Sequence, residues 1–400
     1  MGKPADKFKG ESFKNNSILS VAGFAHLIHD GFTDCLFVLL PLWANTFGLA
    51  YTEIGALKMV MSSFLSIFQV PSGLLSEKYG ERVILALGTV IAALGFFLLW
   101  FVSGFFGLAG CLAIIGLGAS TQHPLGSSLV SRVFSKNKRG ALGVYNFSGD
   151  LGKVIFPFSI AAISAGYGWH VGTFFISAIG VVAGTGIYVV LRFLEVGGPI
   201  GILSSGNSVK RKDWAITNST GFFCLSGISM IDTSVRLSFL TYLPFLLIEK
   251  GAEVGDVGFA LTLVFAGGAA GKLICGFIAE RFGIIKTMIF TEVATGLGIL
   301  ALIFLPLQLA LISLPFLGIA LNGTSSVLYG SVGDFVNERS QARAFGLFYT
   351  LAIGAGALSP LLYGLISDQW SLEVCFSSMA SSLILLGPLF FPLSSRLVNP

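Results

Sequence analysis

Charge is what this sequence has least of. Asp, Glu, Lys and Arg together make up only 11% of its 400 residues, against about 25% in ordinary globular proteins. So few charges cannot cover the surface of the two or three soluble domains that this length would otherwise suggest. Cysteine is nearly as sparse. Cys35, Cys111, Cys224, Cys275 and Cys375 lie far apart in apolar stretches and form no CxxC, which excludes a disulfide framework and a thiolate metal site. Neither HExxH nor GxSxG occurs, so the usual zinc-hydrolase and serine-nucleophile patterns are missing. The net charge of +4 is too small and too scattered to argue for a nucleic-acid partner. The apolar run after the polar N-terminal stretch lacks a small-x-small cleavage site, so it reads as a retained helix and not as a signal peptide.

What remains is hydrocarbon. Hydrophobic residues reach 54%, mean hydropathy is +0.85, and there are 37 Phe and 51 Gly. The apolar runs are long and unbroken, unlike the short alternating strands of a β-barrel. The fold class is therefore an all-α polytopic membrane protein. Runs of about 20 apolar residues between polar or Gly/Pro breaks number twelve. They fall near 18–45, 53–75, 82–102, 105–133, 140–165, 169–194, 214–247, 254–279, 284–305, 308–332, 343–367 and 371–394.

Lys and Arg set the orientation. Lys3, Lys7, Lys9, Lys14, Lys78, Arg82, Arg132, Lys136, Lys138, Arg139, Arg192, Lys210, Arg211, Lys212, Arg281, Lys286, Arg339, Arg343 and Arg396 all fall on one face, and Lys250 alone on the other. The positive-inside rule then places both termini in the cytoplasm, as expected for a bacterial inner membrane. The domain division is a tail over 1–17, a six-helix half over 18–194, a Gly/Ser-rich then basic linker over 195–213, a second half over 214–394 and a short tail over 395–400.

The two halves repeat at a fixed offset of about 203 residues, read by aligning the chain on itself. Pro41 meets Pro244, Glu53-Ile54-Gly55 meets Asp256-Val257-Gly258, Gly73 meets Gly276, Glu77 meets Glu280, Gly80 meets Gly283, Gly143 meets Gly346, and Pro157 meets Pro360. An offset of six spans keeps the topology of the two halves the same, which predicts a parallel repeat about an axis along the membrane normal and a substrate site at mid-depth between them.

The turn after the second span reads Gly73-Leu-Leu-Ser-Glu77-Lys78-Tyr-Gly80-Glu-Arg82, and the one after the eighth reads Gly276-Phe-Ile-Ala-Glu280-Arg281-Phe-Gly283. Both resemble the signature loop of the major facilitator superfamily, G-x-L-a-D-r-x-G-r-k. The first half is more narrowly similar to the fosmidomycin-resistance branch. The likeness lies in His26-Leu-Ile-His29-Asp30 followed by Leu40-Pro41-Leu42, in Ser66-Ile-Phe-Gln69-Val-Pro71-Ser-Gly73, in Gln122-His123-Pro124, and in Arg139-Gly140 through Gly149-Asp150-Leu-Gly152 to Pro157. Phe156 replaces the glycine that precedes Pro157 in the antiporter pattern of the fifth span. The resemblance implies a two-half transporter working by alternating access, with export as the direction and the two loops as gate elements.

Burying a charge at mid-bilayer costs at least about 2.5–3.5 kcal/mol, so each intramembrane charge needs a cavity, a partner or a proton. The spans hold His26, His29, Asp30 and Asp34 in the first, Lys58 in the second, His123 in the fourth, Asp150 and Lys153 in the fifth, Asp232 and Arg236 in the seventh, Lys272 in the eighth and Glu292 in the ninth. His26, Asp30 and Asp34 follow an i, i+4, i+8 line and form one polar stripe. Two acids one turn apart resist joint ionisation, so Asp30, with Asp34, His26 and His123, is the expected proton-coupling set. The competing reading is a fixed pairing of the acids with bases such as Arg236 or Lys272.

Arg236 presents a planar fork suited to a carboxylate or phosphonate. Asp232, Lys272, Asp150, Lys153 and Gln69 complete the expected substrate contacts. Asp150 and Lys153 at i, i+3 are also read as a mutually neutralising pair, Asp232 and Arg236 as an intrahelical one, Lys58 as a snorkelling residue and Glu292 as a packing or gate contact. The expected function is proton-coupled secondary transport of a small organic anion or amphiphilic drug by a monomer. No metal, cofactor or catalysis is expected. Uptake by symport is one alternative, and a non-transporting receptor or scaffold is the other.

Overall fold

The computed structural model describes residues 4–134, 138–199, 216–336 and 341–395. Lys3, Lys136, Lys210, Arg211, Lys212, Arg339, Arg396 and most of the expected linker lie outside them. The α-helices in chain order are α1 (Pro4–Asp34), α2 (Leu36–Phe47), α3 (Tyr51–Ile67), α4 (Gln69–Tyr79), α5 (Glu81–Leu98), α6 (Phe105–Ala119), α7 (Gln122–Val133), α8 (Lys138–Tyr167), α9 (Trp169–Phe193), α10 (Ser219–Glu249), α11 (Val254–Phe282), α12 (Ile284–Phe304), α13 (Leu307–Ser331), α14 (Gln341–Gln369), α15 (Leu372–Ser382) and α16 (Gly387–Ser394). Among the described residues there is no strand, only one isolated bridge between Ile216 and Val336. Eleven helical stretches are long and apolar enough to cross a membrane. The 30-residue α8 is long enough too, but it carries Asp150 and Lys153. The segment expected as a polar tail is instead mostly the start of α1, with Pro4 at the first helical position, where its missing N–H costs nothing.

Two spans are broken in the same way. The second is interrupted at Phe68 between α3 and α4, and the fourth at Ser120–Thr121 between α6 and α7. In each case a proline, Pro71 or Pro124, is the third residue of the helix that follows. There its missing N–H leaves the carbonyl four residues back without a helical partner. Hydroxyls gather at the break: Ser120 Oγ bonds the Leu117 carbonyl at 2.7 Å and faces Ser72 Oγ at 2.9 Å.

The repeat is visible in the backbone. Gly80 and Gly283 adopt φ 91°, ψ 143° and φ 94°, ψ 148°, left-handed values that glycine reaches without the Cβ penalty. The aligned acids do equivalent work. Glu53 reaches back to the Ala50 N–H at 2.9 Å and Asp256 to the Glu253 N–H at 3.0 Å, each satisfying an orphan donor at a helix start.

By contacts the chain forms two compact units, one of Met1–Leu36 with Ser63–Ser208, the other of Phe37–Ser62 with Val209–Pro400. The repeat divides the chain by sequence, whereas packing assigns residues 37–62 to the later unit. In the first unit α1 lies along α8 and α5 along α9. Its core includes Ile18, Ala25, Leu85, Leu125, Leu129, Ile187 and Leu191, each at most 2% exposed. At i, i+4 spacing, Leu125 with Leu129 and Ile187 with Leu191 put one face of their helices into that core.

In the second unit α10 packs on α14 and α11 on α13. The start of α3 is tied in by Asp368 of α14, whose carboxylate accepts from the Tyr51 and Thr52 N–H groups at 2.9 and 2.7 Å. Tyr242 Oη donates to the Pro360 carbonyl at 2.6 Å and lies 3.0 Å from that of Tyr51. Asp368 therefore caps a helix it does not belong to. Asp368→Ala should cost about 1 kcal/mol, as loss of an N-cap does, and thermal unfolding in detergent should show it. An unchanged melting temperature would contradict the assignment.

Candidate functional site

In the first unit, three helices bring ionisable side chains together halfway along their spans. Asp30 is the midpoint residue of the stretch Phe13–Phe47, and the stripe on α1 has the expected form. His26 Nε2 lies 3.4 Å from Asp30 Oδ1, and His29 Nε2 lies 3.8 Å from the same oxygen. From α8, Lys153 Nζ reaches Asp30 Oδ2 at 3.3 Å and Asp34 Oδ2 at 3.8 Å. From α7, the His123 ring lies edge-on to those of His26 and His29, with centroids 5.3 and 4.7 Å away. The break that Pro124 imposes puts His123 in the first turn of α7. Gly149 makes room for the group, since a Cβ there would come within 2.6 Å of Asp30 Oδ2 and 2.8 Å of the His26 ring.

Burial is uneven. His26 and Asp30 are 4% and 5% exposed, Lys153 and Asp34 are half-buried, and His123 is exposed. One side of the cluster is dry and the other open. His26 Nδ1 is 2.9 Å from the Tyr145 carbonyl, which can only accept, so Nδ1 carries the proton. In the neutral ring Nε2 then holds a lone pair turned toward a carboxylate oxygen, and it has no hydrogen-bond partner among the described residues. A proton arriving at Nε2 turns that contact of two acceptors into an ion pair, so the geometry can take up a proton and be stabilised by it. Donor atoms of His26, Asp30 and His123 also lie within 4.8 Å of one another. The ammonium of Lys153 already fills the cationic place beside Asp30, which makes these residues a poor fit for a metal ion.

In the second unit a smaller group joins α10, α12 and α13. Arg236 Nη2 lies 3.8 Å from Asp232 Oδ2 and 3.4 Å from Thr233 Oγ1. Asp232, Glu292 and Thr324 come together here, and Thr324 Oγ1 lies 2.7 Å from Thr291 Oγ1. Asp232 and Glu292 are 5% and 4% exposed.

Several sequence expectations change here. Asp30 and Asp34 find Lys153 across the α1–α8 interface. Lys153 also reaches the acids of α1, because α8 lies directly along that helix. Lys58 does not snorkel. It is 4% exposed, with its ammonium 4.3 Å above the Phe37 ring, a stabilising cation–π contact. Glu292, read as a packing or gate contact, is buried beside Asp232.

In the first signature loop Glu77 is exposed, and the acid that pairs is Glu81, which is 2% exposed and bonded to Arg132 and to Ser128 Oγ at 2.8 Å. Lys78 and Arg281 lie over the neighbouring rings of Tyr79 and Phe282. Arg82 donates its backbone N–H to the Gly197 carbonyl at 3.0 Å, while Glu280 is exposed. Gly73 and Gly276 have open space where a Cβ would stand. Gln69 opens α4 just after its break, Asp150 is buried on α8, and Lys272 is half-buried on α11. His29 stands outside the expected proton-coupling set, although its place next to Asp30 is visible in the sequence.

Residues 22–249 and 222–398 match the family model of the Major Facilitator Superfamily. The chain belongs to that superfamily. It is accordingly a membrane transporter and not an enzyme. The "Fosmidomycin resistance protein" of Escherichia coli (strain K12) is 24% identical over 390 residues, covering 93% of this chain and 91% of that one. The "Sialic acid transporter NanX" of the same organism is 23% identical over 318 residues, covering 76% and 75%. A crystal structure of a mutant of the nucleoside transporter NupG superposes with a TM-score of 0.78 at 14% identity, over 94% of this chain and 99% of that one. This likeness concerns the fold alone.

Proposed function

We propose that this superfamily member is a proton-coupled secondary transporter that exports a small organic anion or amphiphilic drug by alternating access. The reading places a monomer in a bacterial inner membrane with both termini cytoplasmic. The observation that carries it is the half-open cluster of Asp30, His26, His123, Asp34 and Lys153, in which His26 Nε2 lies 3.4 Å from Asp30 Oδ1. Asp30 holds the Lys153 ammonium at 3.3 Å, so a proton taken up at the cluster and an anion drawn to that ammonium act on the same contact. In this way protonation and anion binding are linked on the same few side chains.

Arg236 is the second anion contact. Its ion pair with Asp232 is longer than the 2.7–2.9 Å or so of a tight charged hydrogen bond, so a carboxylate or phosphonate competes for it. Asp232 orients the guanidinium, and Lys272, Asp150 and Gln69 complete the expected contact set. The glycine turns and charges at Gly73, Glu77, Lys78, Gly80, Arg82, Gly276, Glu280, Arg281 and Gly283 serve as gate elements. The names of the two relatives speak of resistance to fosmidomycin and of transport of a sialic acid, and the second supports an anionic substrate.

Proteoliposomes with an acidic lumen test coupling and direction together. Exchange drives the anion inward and symport drives it outward; no movement under any gradient would reject both. Arg236→Lys keeps the charge but loses the fork, and should weaken anion binding about tenfold, near 1.4 kcal/mol. Unchanged affinity by calorimetry would remove Arg236 from the substrate contacts.

A further inference from the structure

The second unit contains a cavity of about 450 Å³ between α12 and the α15–α16 segment, within the roughly 300–1,000 Å³ typical of small-molecule sites. Its walls are apolar, formed by residues such as Val293, Leu297, Leu300, Ile384 and Phe390, and the one ionisable residue among them is Glu292. Val293, Leu297 and Ile384 are exposed, so the rim is an apolar surface of membrane-spanning helices, of the kind that meets hydrocarbon. Glu292 itself is 4% exposed, and its Oε1 has no hydrogen-bond partner among the described residues.

The charge count behind that wall is unequal. From α10 come Asp232 and Arg236 and from α12 Glu292, while α13 offers only the Thr324 hydroxyl. With both carboxyls ionised, two acids face one base. A cation arriving through the cavity can compensate the second carboxylate, because burial leaves an unpaired one costly.

We infer that the groove between α12 and α15–α16 is a binding site for a lipophilic monovalent organic cation, its apolar body on Val293, Leu297 and Ile384 and its charge beside Glu292. The site is separate from the Asp30 cluster and takes the opposite charge to the proposed substrate. Through Asp232 it adjoins the proposed anion contact at Arg236, and binding measured with no substrate and no gradient tests it apart from transport.

The test is equilibrium binding of tetraphenylphosphonium to the full chain in phosphatidylcholine nanodiscs, with tetraphenylborate as the probe of equal shape and opposite charge. Tetraphenylphosphonium should bind saturably, and Glu292→Gln should weaken it at least tenfold. Gly387→Phe fills the groove from its edge, where an added Cβ meets nothing within 4 Å, so it should fold and also weaken binding at least tenfold. Tetraphenylborate should show no binding that Gly387→Phe removes. Phosphonium binding that survives Gly387→Phe would overturn the inference. So would equal, Gly387-sensitive binding of both ions, which would make the groove a charge-blind slot for acyl chains. Should Glu292→Gln not fold, Gly387→Phe and the comparison of the two ions still decide.

Discussion

Asp30→Asn should abolish accumulation driven by a proton gradient while leaving exchange of substrate for substrate across the same membrane. The amide keeps the shape of the carboxylate but cannot ionise, so the contact with His26 Nε2 at 3.4 Å and with Lys153 Nζ at 3.3 Å no longer depends on a proton. Breaking a buried ion pair from one side costs about 3–5 kcal/mol. Asp34, 3.8 Å from the same ammonium, should limit that loss enough for the variant to fold. The effect on gradient-driven uptake should reach about a hundredfold, equal to some 2.7 kcal/mol in coupling. Retained accumulation, or exchange lost along with it, would take the coupling role away from Asp30. Substrate binding to the wild type should vary with pH, and binding to the variant should not.

The second large effect is on stability. Gly152 of α8 faces the backbone of α1, and a Cβ there would press into the Leu27 carbonyl and come within 3.0 Å of the Gly31 nitrogen. Main-chain atoms cannot rotate away as a side chain would, so the helices must part, and with them Lys153 and Asp30. Overpacking of this kind costs about 1–3 kcal/mol, and Gly152→Ala should fall at the upper end. Gly186→Ala is the control, because its added Cβ meets nothing within 4 Å and alanine favours the helix by up to about 1 kcal/mol. Thermal unfolding should show a clear loss for the first and none for the second. Equal melting temperatures would mean that the α1–α8 contact does not hold the unit together.

How much of this was legible in the sequence depends on whether a feature is local. The stripe of His26, Asp30 and Asp34 follows from helical periodicity alone. The breaks before Pro71 and Pro124 were not legible from proline alone, since Pro157, Pro244 and Pro360 lie inside unbroken helices. The repeat offset finds Gly80 and Gly283 in the same left-handed turn, and Glu53 and Asp256 in the same capping role. Partners across helix interfaces were not legible. Nothing in the spacing of Lys153 says that it meets Asp30, since that depends on the register at which α8 packs on α1. The same holds for Asp368 on α3, for Glu292 beside Asp232 and for Lys58 over Phe37. Lys250, the one basic residue on its face by the sequence count, is a further case. Its ammonium donates to the Ile303 and Leu305 carbonyls at 2.8 and 2.9 Å, closing the end of α12.

The central claim is that anion movement and proton movement are one event at Asp30. It is tested most directly by enclosing a pH-reporting dye in proteoliposomes and adding an anionic probe such as a sialic acid outside, with no gradient imposed. The account predicts a change of luminal pH that saturates with substrate and is absent in Asp30→Asn. Saturable anion entry with a luminal pH that stays constant in the native protein would contradict it.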